Sequence, residues 1–246
     1  MTEAFAWGLV AASSLVMGGL AALQWTFSRR ALGLVMAFGA GVLISAVAYD
    51  IVLDAYETST GAGGVGFGLA AGALTFYTGD AYLDRRGGAD RKRSGRAVDA
   101  GGSGSAFPLV LGIVLDGVPE SIVIGVGLLA GDGVGLAVLA AVFLSNLPEA
   151  VAATVGLRRA GDAPARIIGL WVVVALVSGL AALAGYAVFD TASPQVLAFV
   201  TAFAGGAVLT MLADTMMPEA YEHGGPTVGL MTTLGFGLAF ALTQLE

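Results

Sequence analysis

Phe38 to Glu57 reads FGAGVLISAVAYDIVLDAYE, and Phe203 to Glu222 reads FAGGAVLTMLADTMMPEAYE, a gapless match at a constant offset of 165 residues. Gly41 falls on Gly206, Ala48 on Ala213 and Asp54 on Glu219, and the triplet Ala55, Tyr56, Glu57 recurs as Ala220, Tyr221, Glu222. Both copies lie in apolar sequence. Whether they are two passes of one helical design depends on how many passes the chain makes.

Hydrophobic residues make up 57% of the 246 and charged residues only 12%, with a mean hydropathy of +0.86. That balance belongs to a membrane protein. Apolar runs near the roughly 20 residues that a helix needs to cross a bilayer fall at about 5–27, 32–54, 64–83, 107–130, 134–157, 166–189, 195–219 and 226–244. They are continuous and rich in Ala, Leu, Val and Gly, unlike the alternating segments of a transmembrane barrel. The expectation is an all-α polytopic membrane protein with eight transmembrane helices, in one transmembrane domain over 1–246. The first run is read as a true span, because Met1 to Ala6 has no basic residue and the run is long for a signal peptide.

The two copies are then the second and seventh spans and cross in opposite directions. Helices 1–3 and 6–8 become inverted repeats around helices 4 and 5, a 3+2+3 arrangement. Secondary transporters recurrently use such repeats, with interrupted helices at the repeat interface near the midplane.

Lys and Arg fall in three clusters: Arg29 and Arg30; Arg85 to Arg96; and Arg158, Arg159 and Arg166. With eight spans all three lie on one side, which makes those loops cytoplasmic and both termini extracytoplasmic at the cell membrane. The Gly-, Ser- and Arg-rich segment 84–106 is expected to be a flexible basic cytoplasmic loop. The formal net charge is −7, part of it carboxylate inside the spans, and no nucleic-acid patch is present. The lipid bilayer is the evident partner. Cysteine is absent, which removes disulfides and thiolate metal sites.

The fourth and fifth runs carry a second repeat, LDGVPES at Leu115 to Ser121 and LSNLPEA at Leu144 to Ala150. Asp116 and Glu120 share a helix face, as do Ser145, Asn146 and Glu149. Pro119 and Pro148 each remove a backbone donor, which frees the carbonyls of Leu115 and Leu144 for a ligand or a neighbouring side chain. A carboxylate at the bilayer centre costs about 2.5–3.5 kcal/mol on insertion scales. No basic residue lies in any span interior, so a divalent cation or a proton must meet that cost.

These paired motifs on consecutive helices resemble those of the ZIP (Zrt/Irt-like) family of divalent-metal transporters, and the resemblance covers essentially the whole chain. In that family the fourth span reads His-Asn-x-Pro-Glu-Gly and the fifth His-Glu-x-Pro-His-Glu. Here Pro119, Glu120 and Pro148 are kept. Asp116 stands for the first His, Gly117 for Asn and Ser121 for Gly; Ser145 stands for His, Asn146 for Glu, Glu149 for the second His and Ala150 for the last Glu.

The resemblance implies a metal site at Asp116, Glu120, Ser145 and Glu149, with Glu120 and Glu149 bridging toward a second ion near Asn146. It also implies a homodimer. The family's histidines are absent, and an all-oxygen set favours harder ions, so zinc, iron and manganese all remain open as substrate, with cadmium beside them. The metal is cargo; no catalytic cofactor is expected.

Asp50, Asp54, Asp214, Glu219 and His223 are candidates for the transport pathway. By the topology above, Asp54 lies near the outer end, and Glu219 and His223 near the inner end. Trp7, Trp25 and Trp171 lie toward span ends and are read as interfacial anchors.

The expectation is therefore not an enzyme but a transporter working by alternating access. Two other readings compete: a metal-binding sensor or scaffold without flux, and an intramembrane aspartyl protease using Asp50 and Asp80. The protease reading leaves both Pro-Glu motifs unexplained.

Overall fold

The computed structural model describes residues 1–59, 62–83, 85, 107–130 and 135–244, without the side chains of 62, 83, 107–116 and 130. The expected loop at 84–106 therefore lies, apart from residue 85, outside the described residues. All regular structure among the described residues is helical: α1 (Thr2–Gln24), α2 (Arg29–Ala46), α3 (Leu53–Thr58), α4 (Ala62–Leu83), α5 (Phe107–Gly127), α6 (Leu136–Arg159), α7 (Pro164–Phe189), α8 (Pro194–Met211), α9 (Met217–Gly224) and α10 (Val228–Thr243). Five helical stretches among these residues are long and apolar enough to cross a membrane: Thr2–Gln24, Arg29–Thr58, Leu136–Arg159, Pro164–Phe189 and Pro194–Thr243.

The stretch Pro194–Thr243 turns back on itself. Met216 lies against Gly39 of α2 and Gly224 against Gly33, whereas Thr232 and Phe236 return to Gly41. The turn comes at Gly225, whose φ of 68° suits glycine.

The sequence copies have matching local structure. Ser28 and Ser193, 165 residues apart, each cap a helix by accepting a backbone N–H, from Ala31 at 3.1 Å and from Val196 at 3.4 Å. Each helix then widens into a π-helical turn, at Val47–Val52 and at Leu212–Met216, again 165 residues apart at their starts. Such turns insert one residue into an α-helix and cluster at functional sites.

Packing partners match as well. α2 lies along α10 and α4 along α8. Gly235 approaches the Phe38 carbonyl and Gly72 the Phe203 carbonyl, while Gly41 meets the Thr232 carbonyl and Gly206 the Leu69 carbonyl. In all four places a Cβ would collide with backbone. Lipid supplies no hydrophobic drive for helices to associate, so close backbone approach through small residues is how such helices hold together.

Helix directions follow from these contacts. Phe67 packs on Phe199 while Gly72 meets Phe203, so α4 and α8 run parallel; Tyr49 packs on Phe236 and Phe240, and α2 and α10 run parallel. α1 opposes α7, with Gly8 against Gly179 and Gly19 against Trp171.

Trp171 corrects the expectation of an interfacial anchor. It is wholly buried and donates its indole N–H to the Thr154 hydroxyl at 2.8 Å, whereas Trp25 is 63% exposed, as an anchor should be.

Ser45 is the opposite case, a buried hydroxyl with no hydrogen-bond partner. Its equivalent, Thr210, donates to the Gly206 carbonyl at 2.9 Å. An unsatisfied buried hydroxyl is unfavourable, so Ser45→Ala is expected to stabilise the fold by about 1 kcal/mol. Thermal unfolding in detergent checks this.

Candidate metal centre

α5 and α6 carry the Pro-Glu motifs and meet in the interior: Val123 and Ala141 belong to one buried cluster, Ile124 and Val142 to another. Glu120 lies one helical turn before Ile124 and is 4% exposed, while Asn146 lies one turn beyond Val142 and is 7% exposed. Ser145 is fully buried and donates to the Val142 carbonyl at 3.0 Å, which leaves its oxygen lone pairs to accept or ligate. Glu149 is half-buried. Ser121 is buried and donates to the Gly117 carbonyl at 2.7 Å. The side chain of Asp116 lies outside the described residues.

Pro148 breaks the hydrogen-bond ladder of α6 at the Leu144 carbonyl. Glycines brace both sides of the break. A Cβ on Gly39 of α2 would sit 3.2 Å from the Leu144 oxygen and 3.3 Å from the Ser145 Cα; one on Gly18 of α1 would sit 2.6 Å from the Leu147 oxygen. The Leu144 carbonyl thus faces α2 at a glycine, with the Met216 methyl beside it.

The expected pathway residues are distributed along the helices. Asp50 lies in the first π-turn and accepts a long hydrogen bond, 3.5 Å, from Thr243 of α10. Asp54 and Asp214 are exposed; Glu219 is buried on α9. His223 ends α9 beside Gly33, with its Nδ1 buried and unpartnered. It lies beyond the apolar run 195–219, where burial lowers its pKa below the usual histidine value, Glu222 pulls it up and Arg29 adds to the lowering. A neutral imidazole with an open nitrogen is a competent metal ligand.

Among the described residues no three His, Cys, Asp or Glu side chains converge as a preformed metal cage. The candidate ligands that α5 and α6 carry among the described side chains are two carboxylates and the neutral oxygens of Ser145 and Asn146, and oxygen ligands favour harder divalent ions. Sequence reasoning did not find the glycine braces or the partnership of Trp171 with Thr154. The Gly18-Gly19 pair was the available signal, since adjacent glycines in an apolar helix mark close helix approach. Asp80, considered only for the protease, is 3% exposed on α4.

No family model matches the chain. Over 142 residues, 56% of this chain, it is 37% identical to a curated protein named zinc transporter GufA from Myxococcus xanthus. The aligned region covers 55% of that protein, so the chain spans about half the length of the curated relative it matches.

Proposed function

We propose that this protein is a ZIP-like divalent metal transporter that moves its ion across the cell membrane through a site built on α5 and α6. The observation that carries the reading is the burial of Glu120 on α5, with Ser145 and Asn146 buried beside a proline on α6, within apolar spans. Such carboxylates mark ion pathways. The relative's name supplies the cargo class, and zinc, iron and manganese remain the candidates.

Eight passes in a 3+2+3 arrangement account for the helix directions. Alternating passes make α2 and α10 parallel, α4 and α8 parallel, and α1 and α7 antiparallel, as the contacts have them. A miscount by one between any of these pairs would reverse one of them. The matched caps, π-turns and glycine contacts support inverted repeats, and alternating access is the motion such repeats serve. Both termini then lie outside the cell, and the resemblance to the ZIP family suggests a homodimer.

The aspartyl-protease reading leaves both Pro-Glu motifs unexplained. Binding without flux remains the second reading, favoured by the absence of histidine from the centre.

The metal content of cells expressing the protein tests the function. Zinc, iron or manganese is expected to accumulate with the wild type and not with Glu120→Gln/Glu149→Gln. Equal content in both would sink the reading.

A further inference from the structure

We propose that Trp171 and Thr154 form a positioning pair that fixes where Glu149 stands in the metal site, an inference that rests on the metal-site reading above. Pro148 removes one rung from the hydrogen-bond ladder of the continuous helix α6 and so marks off a half on either side of it, and a helix can bend at such a point. The first half is held by Gly39 of α2 against Leu144 and Ser145. The second half carries Glu149 and meets Gly18 of α1 at Ala150 and Val151; a directed bond adds a fixed rotation to that contact.

Thr154 supplies it. It lies one turn beyond Ala150, on the face that Gly18 of α1 contacts, and its hydroxyl accepts the Trp171 indole N–H at 2.8 Å. Both residues are wholly buried, and Trp171 is the largest fully buried side chain among the described residues. Gly19 lets α1 lie directly on the indole: a Cβ there would come 2.5 Å from its Cδ1. A rigid ring fixed between α1 and α7 thus grips the half-helix through one directed hydrogen bond. That bond sets the rotation of the half-helix about its axis, and Glu149, the neighbour of Ala150, turns with it.

Packing alone would require only the ring. A directed bond to a hydroxyl five residues beyond Glu149 acts on the ligand through the helix backbone, and the roughly 10–100-fold cost of losing a group that hydrogen-bonds a ligand directly sets the upper bound for its loss.

The test is isothermal titration of zinc, manganese and cadmium into the detergent-solubilised full-length protein. Thr154→Val keeps the shape and removes the acceptor. It is expected to weaken the tightest-bound ion about tenfold and to change the ratio of affinities among the three ions, while Thr154→Ser stays within about twofold of wild type. If Thr154→Val does not fold, Trp171→Phe, which removes the donor and keeps a ring, is expected to change the same ratio. A folded Thr154→Val or Trp171→Phe protein that melts lower but keeps wild-type affinities and ratios would show a packing role only and overturn the proposal. Wild-type protein that binds none of the ions would overturn the metal site itself, a distinct result.

Discussion

Glutamine in place of both Glu120 and Glu149 is expected to abolish saturable binding of divalent ions, and each single substitution to weaken it by roughly a hundredfold, the upper end of what loss of an outer-shell partner costs. The amide keeps the size and one oxygen of each side chain but removes the charge. For a hard cation held by oxygens, ligand charge is a main determinant of affinity, and Ser145 and Asn146 are neutral. The fold should survive. The metal-free double variant is therefore expected to melt no lower than metal-free wild type while equilibrium dialysis with manganese and zinc finds no saturable binding. Wild-type affinity in the double variant would place the site elsewhere.

The second large effect concerns the helix pairs. Gly41→Val and Gly206→Val are each expected to destabilise the protein by at least about 3 kcal/mol, at the upper end for overpacked sites. In each case the new Cβ meets a backbone carbonyl, of Thr232 or of Leu69, which no rotamer change can move aside. Because the two glycines occupy matched places in the repeats, the two losses should be similar. Gly237→Ala is the control: a Cβ at Gly237 meets nothing within 4 Å, and alanine in a helix interior gains roughly 0.5–1 kcal/mol over glycine. Unfolding in detergent reads all three. A mild effect at Gly206 beside a severe one at Gly41 would mean that the two pairs are not equivalent.

Much of this was legible in the sequence because bilayer thickness sets run length and proline marks a break wherever it falls inside a helix. The all-helical, membrane-spanning class was read from run length, and the matched caps and π-turns of the two copies follow the 165-residue spacing. The π-turns were not legible. Val47–Val52 and Leu212–Met216 contain no glycine or proline to mark them, and the first is packed across the repeat, where Gly205 of α8 lies against Ile51.

Trp171 was misread for a related reason. A tryptophan near the end of an apolar run looks the same whether it meets headgroups or a neighbouring helix, and what decides is Thr154 and Gly19, both distant in sequence. The acidic residues proposed for a pathway were legible as composition along a helix but not as geometry: the long hydrogen bond that Asp50 accepts comes from Thr243, 193 residues away.

Initial-rate uptake of zinc, iron, manganese, cadmium and magnesium into liposomes containing the purified protein tests the central claim most directly. The account predicts saturable flux of at least one of the first three above that of empty liposomes, lost in Glu120→Gln/Glu149→Gln. Ions bound with no flux, or flux that survives the double substitution, would contradict it.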